Sequence, residues 1–253
     1  MRLAQAWLCR TWRRRQATAA VRTGKIRPMN LLAIETSTEL GSIALWRDGE
    51  LLRRGCPVGV AHSETLLPLI SSTLRAAGLG FADLQAVAFA AGPGSFTGLR
   101  VACGVAQGLA FAHDLPVVPV GTLEAMALAS GGQRVIVLLD ARMGEVYHGL
   151  FAAGVALAPP AVCPPSLLPV PESTGWLACG NGLAAHPLLR QRLAACVDVW
   201  QPGLMPDAGA VAHLAVACLA RGEGVDAAAA APLYVRNKVA LTVAERLVIG
   251  GKA

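Results

Sequence analysis

Two stretches in different halves of the chain follow one plan, and this most narrows the folds open to it. NLLAIETSTELGSIALWRDG (30–49) and RVIVLLDARMGEVYHGLF (134–151) each open with an apolar run that ends in an acid, Glu35 or Asp140. Each then turns and restarts at a glycine, Gly41 or Gly144. An approximate internal duplication is the economical explanation. The fold class it implies is α/β: two similar lobes, each a mixed sheet flanked by helices, joined near Ser130–Gly132. The division is 29–130 for the N-terminal lobe and 131–253 for the C-terminal lobe.

Patterning within the lobes supports this. Strands are expected at 30–36, 41–48 and 50–55, with the Asp48–Gly49 pair as a hairpin turn, giving a three-strand meander. A helix follows at 63–77, with Leu66, Ile70, Leu74 and Ala77 on one face and Leu67 beside them. Next come a strand at 84–90, a glycine-rich loop, a helix at 97–113, a strand at 116–120 and a helix at 122–129. The second half reads as strands 134–140 and 144–151, a proline-rich stretch, strand 176–180, a helix near 183–194, strand 197–200 and an alanine-rich helix at 207–220. The segment 232–246 shows no regular period.

The formal charge of +6 suggests a nucleic-acid binder until it is mapped along the chain. Residues 1–28 carry eight basic residues and no acid, so 29–253 holds 14 basic against 16 acidic residues, a net of −2. The body is not basic. The first 28 residues read as a disordered arm, or as sequence ahead of a misassigned start, because Met29 directly precedes the first strand. Seven cysteines, an odd number with no C-x-x-C, fit free thiols in a reducing, cytoplasmic setting. The longest stretch without formal charge, 146–171, contains six prolines and is no membrane helix. The five histidines lack ligand spacing and read as caps, surface groups or packed rings.

The loop AGPGSFTGLR (91–100) invites a chemical assignment. A nucleophile elbow needs G-x-S-x-G, but Ser95 follows Gly94 directly. A Walker A loop needs a lysine and a hydroxyl after its last glycine, and Gly98 is followed by Leu99 and Arg100. Gly92, Gly94 and Gly98 give G-x-G-x-x-x-G, one residue too long for a dinucleotide fingerprint. What survives is a strand–turn–helix junction whose free amides suit an anion, with Ser95 or Thr97 as helix cap. The same glycines serve a tight turn and close chain approach, and that reading stands slightly ahead.

The runs LLAIETSTELGSIALWRDGELL, HSETLLPLI, GPGSFTGLRVACGVAQGLAF, DARMGEVY and PLYVRNKVALT together resemble the TsaB (formerly YeaZ) family of bacterial tRNA threonylcarbamoyladenosine biosynthesis proteins. The resemblance covers essentially all of 29–246. It implies two duplicated lobes of the actin-like, ribonuclease H-like superfamily. It also implies a role beside the paralogous enzyme TsaD, which transfers threonylcarbamoyl to the adenosine next to the anticodon (t6A) of tRNAs reading ANN codons. TsaD carries a pair of metal-binding histidines. Read through PVGTLEAMA (119–127), their positions hold Thr122 and Met126, with Glu124 between, and these cannot replace two imidazoles. The resemblance therefore implies a noncatalytic scaffold with no catalytic residue and no metal. Its partners would be TsaD, the ATPase TsaE and, through the complex, tRNA; a homodimer and ATP at the complex interface stay open, with no firmly held cofactor and no membrane. An autonomous actin-like ATPase or peptidase and an unrelated homodimeric binding module are the rivals. A basic arm at 1–28 would add nonspecific affinity for tRNA.

In active actin-like ATPases the first strand ends in an acid that helps hold a nucleotide-bound metal. Glu35 stands there in this chain, with Thr36 and Ser37 after it. Together with Gly92, Gly94 and Ser95 it would form a vestigial phosphate site or simply a solvated turn, since charged strand ends are usually exposed. Asp140 and Arg142 mirror it, with an ion pair inside the lobe as the expectation. On the 97–113 helix, Gly104 and Gly108 share a face with Val101 and Ala112, and each mid-helix glycine costs about 1 kcal/mol relative to alanine. Close helix contact, inside the lobe or across a subunit boundary, would offset that cost. The apolar face of the 63–77 helix, with Leu69 added, is wider than one sheet requires. The resemblance implies that Leu66, Leu69, Ile70, Val101, Gly104, Gly108 and Ala112 form a helical interface with TsaD or a second copy.

Overall fold

The computed structural model describes residues 29–236; the basic arm at 1–28 and residues 237–246 of the irregular C-terminal run lie outside the described residues. The first sheet runs in the order β3-β2-β1-β4-β5, from β1 (Asn30–Glu35), β2 (Ser42–Arg47), β3 (Glu50–Gly55), β4 (Ala86–Gly92) and β5 (Val117–Gly121). The first three pair antiparallel as a meander, and β4 and β5 add in parallel to β1. The second sheet repeats this plan. Its strands are β6 (Arg134–Asp140), β7 (Val146–Ala152), β8 (Val155–Ala156), β9 (Ala161–Cys163), β10 (Trp176–Cys179) and β11 (Val197–Gln201). β6 and β7 are antiparallel, β8 and β9 pair with β7, and β10 and β11 lie parallel beside β6. The duplication read from the two acid-ended runs is thus a duplication of topology.

The central strands carry apolar residues on both faces because both faces are covered. Leu32, Ile34 and Phe89 meet helices α1 (His62–Ala76) and α2 (Phe96–His113) on one side. On the other side the sheet presents Ala33, Ala44, Ala86, Ala88 and Ala90. Such a shallow face accepts a helix at close range. The alanine-rich helix packs here as α6 (Ala208–Ala220), after α3 (Thr122–Ser130), α4 (Gly182–Ala185) and α5 (Leu188–Leu193). Dividing the chain at residue 130 assigns this helix to the second lobe, yet it lies on the first sheet. The complementarity of two alanine surfaces, distant in sequence, decides that placement. Asp207 caps its N-terminus by accepting from the Gly209 amide, and the Ser42 hydroxyl accepts from Ala208 N at 3.0 Å.

The other local expectations meet the structure within a few residues, with one correction. The helix expected near 183–194 is broken into α4 and α5 at His186–Pro187. Proline lacks an amide hydrogen and disfavours helical backbone before it, so the two short helices cannot fuse.

Candidate functional site

The carboxyl ends of the parallel strands in both sheets open on one cleft of about 800 Å³. Crevices of this kind are where open α/β sheets usually hold ligands. Its walls are the turn after β1 (Ser37–Glu39), the glycine loop and first turn of α2 (Pro93–Leu99), the turn after β6 (Asp140–Met143), and Leu233–Arg236 near the end of the described chain.

The geometry of the glycine loop shows what its glycines are for. A Cβ on Gly98 would lie 1.8 Å from the Thr36 carbonyl oxygen, and one on Gly94 would lie 2.6 Å from Ser37. Gly92 has φ +121°, and a Cβ there would come within 2.7 Å of the Leu233 carbonyl oxygen. The loop therefore lies directly against the Thr36–Ser37 turn, which only glycine permits. Two hydrogen bonds close the contact: Ser95 N donates to Ser37 O at 2.7 Å, and the Thr36 hydroxyl donates to Gly98 O at 2.8 Å. Ser95 also caps α2, its hydroxyl accepting from Gly98 N at 3.4 Å. The Ser95 amide that a phosphate cradle would offer is thus engaged by the chain itself.

Glu35 is not the exposed turn residue that a charged strand end suggests. It is 0% exposed, because β1 ends beside Ser42 and the start of α6. One carboxyl oxygen accepts from Ser37 N, while Oε2 makes no hydrogen bond among the described residues. Burial pushes its pKa up to about 7; the Ser37 hydrogen bonds oppose the shift, and the nearby Asp207 adds to it. Asp140 has a richer environment. It accepts from Arg142 N at 3.0 Å, lies 3.5 Å from the Arg142 guanidinium and has His186 Nε2 at 3.3 Å. The pairing expected inside the second lobe is present.

The second lobe also contains a counterpart of the glycine loop that the spacing rules pass over. Gly180 and Gly182, flanking Asn181 after β10, would each bring a Cβ within 3 Å of the Leu138 carbonyl oxygen. Asn181 accepts from Asp140 N at 2.9 Å. The signal available in sequence was the Gly-x-Gly step at the end of WLAC.

Thr122 and Met126, at the positions where the resemblance puts metal-binding histidines, are both completely buried. Met126 packs with Leu123, Leu139 and Cys179 in the second lobe's core, so its position serves packing. Among the described residues, no three His, Cys, Asp or Glu side chains come together as a metal-binding group. No described helix is long and apolar enough to cross a membrane. His62 bonds the Thr38 carbonyl, His148 is a buried ring, His113 stacks on Phe81 and His213 meets Trp46 edge to face.

Two residues of the expected interface are corrected. Leu66 and Ile70 are 1% and 0% exposed, because the lobe's own core against β1, β2 and β4 claims them. Leu69 and Val101 are partly buried against that core. Gly104, Gly108 and Ala112 are exposed, and nothing lies within 4 Å of a Cβ built on either glycine. No contact among the described residues therefore accounts for the two glycines. Phe111, on the same helix, is 84% exposed.

Comparison with known proteins gives a consistent result. Residues 58–161 match the family described as TsaD, tRNA N6-adenosine threonylcarbamoyltransferase. The tRNA threonylcarbamoyladenosine biosynthesis protein TsaB of Escherichia coli K12 is 35% identical over 226 residues, 84% of this chain and 96% of that protein. Its namesake from Haemophilus influenzae is 34% identical over 228 residues, 83% of this chain and 95% of that protein. The solved structure of YeaZ from Pseudomonas aeruginosa is 38% identical and superposes with a TM-score of 0.73, covering 81% of this chain and 99% of its own.

Proposed function

Since the chain belongs to the TsaB (YeaZ) family, we propose that it serves threonylcarbamoyladenosine formation on tRNA as a noncatalytic scaffold that binds and supports a TsaD-type catalytic subunit. The observation that carries this reading is the open face of α2. Gly104 and Gly108 leave a shallow strip with no neighbour among the described residues, beside a phenylalanine that is 84% exposed. Apolar surface left bare beside small residues is what a partner helix packs against at close range. The buried Thr122 and Met126 favour a support role, since the positions of the enzyme's metal ligands are given to core packing. The reading needs no firmly held cofactor. TsaE and tRNA would join through the complex.

Co-purification and reconstitution test it. Adding this protein to TsaD, TsaE, tRNA and threonylcarbamoyl-adenylate is expected to raise modification well above the level without it. Gly108→Leu, which places a side chain in open space and improves helix propensity by about 1 kcal/mol, should leave folding intact and weaken the complex. An unaffected complex would remove α2 as the docking face. Turnover of nucleotide or peptide by the purified chain alone, abolished by Glu35→Ala, would restore the enzyme reading.

A further inference from the structure

The segment 231–236 has no regular structure, yet it is attached at both ends. Its first half is seated on the first lobe. The Ala230 carbonyl accepts from Gln107 Nε2 at 3.0 Å, and Leu233 N donates to Ala91 O at 2.6 Å, over the bare backbone of Gly92. Tyr234 packs on Phe96 with ring centroids 5.5 Å apart and accepts from Arg100 Nε at 3.0 Å, while the Arg100 guanidinium lies 3.8 Å above the Phe96 ring. Two residues later the chain is held by the second lobe. Arg236 donates to Glu145 at 2.5 Å and to the Arg142 carbonyl at 3.4 Å.

We propose that residues 231–236 are a latch across the mouth of the cleft, holding the two lobes at their present separation, and that releasing either end opens the cleft. The length of the strap carries the argument. Tyr234 and Arg236 are two residues apart, so their Cα atoms can separate by at most about 7 Å. The lobes cannot part at the mouth by more than a few ångströms without breaking one anchor. α3 packs against strands of both sheets, with Gln201 Nε2 donating to Ser130 O at 3.2 Å, and is the element about which the lobes would turn. A second ion pair across the cleft, Arg142 with Glu39 at 3.8 Å, joins side chains that are 77% and 61% exposed and adds little. Arg236 is different: its side chain is 14% exposed and that of Glu145 32%, so the pair is partly shielded from solvent.

The test is amide exchange and small-angle X-ray scattering on the full chain, with Glu145→Gln releasing the second-lobe anchor and Tyr234→Ala the first-lobe anchor. In both variants the Leu233 amide and the cleft turns at 93–99 and 140–145 are expected to exchange about tenfold faster, the change that losing one charge-assisted hydrogen bond produces. The radius of gyration should rise, with the interior amides of β1, β4 and β6 unchanged. Faster exchange confined to 231–236 with unchanged scattering would overturn the proposal, because the strap would then hold nothing. So would faster exchange throughout both sheets, which marks general destabilisation.

Discussion

Replacing Glu35 by glutamine tests the account of the cleft most directly. The wild-type carboxyl is fully buried with one oxygen unpaired, and its pKa stands at about 7 against an ordinary 4.5. The folded state therefore binds this proton more tightly than the unfolded state, and the sign follows by linkage. The contribution is fully present below pH 4.5, declines as pH rises through about 7 and levels off above. At about 1.4 kcal/mol per decade of proton affinity, the gap corresponds to about 3 kcal/mol lost between the acid and alkaline limits. Glu35→Gln keeps an acceptor for the Ser37 amide and cannot ionise, but it buries an unpaired amide group at a pH-independent cost of about 1 kcal/mol. The variant should be slightly less stable than wild type near pH ~5 and more stable by about 2 kcal/mol near pH ~8.5, measured by urea unfolding with the m-value as a check on two-state behaviour. Other titrating groups, His148 included, are common to both proteins and cancel in the difference. Parallel stability profiles of the two proteins from acid to alkaline pH would refute the reasoning, since they would mean that Glu35 stays solvated or finds a second partner.

The two roles of glycine separate cleanly. Gly98→Ala forces a Cβ to within 1.8 Å of a backbone oxygen and should destabilise the fold by about 3 kcal/mol or more. Gly104→Ala, in open space on the same helix, should stabilise it by up to about 1 kcal/mol; thermal unfolding of the pair decides whether space or helix propensity governs each site. His148, buried in the second sheet with Nδ1 unpaired, has its pKa lowered by burial from an ordinary 6.5. Its folded form resists protonation, so stability should fall as pH drops below 6.5. His148→Leu should flatten that acid limb, and a limb of undiminished slope would show that other groups cause it.

Local pattern made most of the strands, their order of appearance and most helix limits legible, because strand alternation, the Asp48–Gly49 turn and the Ser95 cap act over a few residues. The duplication was legible because two separate runs had to solve the same problem, a buried strand ending in an acid at a turn. The glycine loop was legible as a place where backbones meet, but its partner was not. Only the folded chain brings Thr36 and Ser37 against Gly94 and Gly98, more than fifty residues on. For the same reason Glu35 read as a solvated residue, although α6, which begins beside it, is more than 170 residues away.

The candidate interface divides along the same line. Periodicity identified the apolar faces of α1 and α2, but it could not say which side chains the sheet would claim; Leu66 and Ile70 went to the core, and Gly104 and Gly108 stayed open. By itself the sequence determined two α/β units and the close-packed loop, both of which follow from residue type and short spacing. Tertiary structure decided the burial of Glu35, the passage of α6 onto the first sheet and the strap across the cleft. These depend on surfaces meeting across long separations, where the free energy lies in complementary shape and exclusion of water, and no local pattern records either.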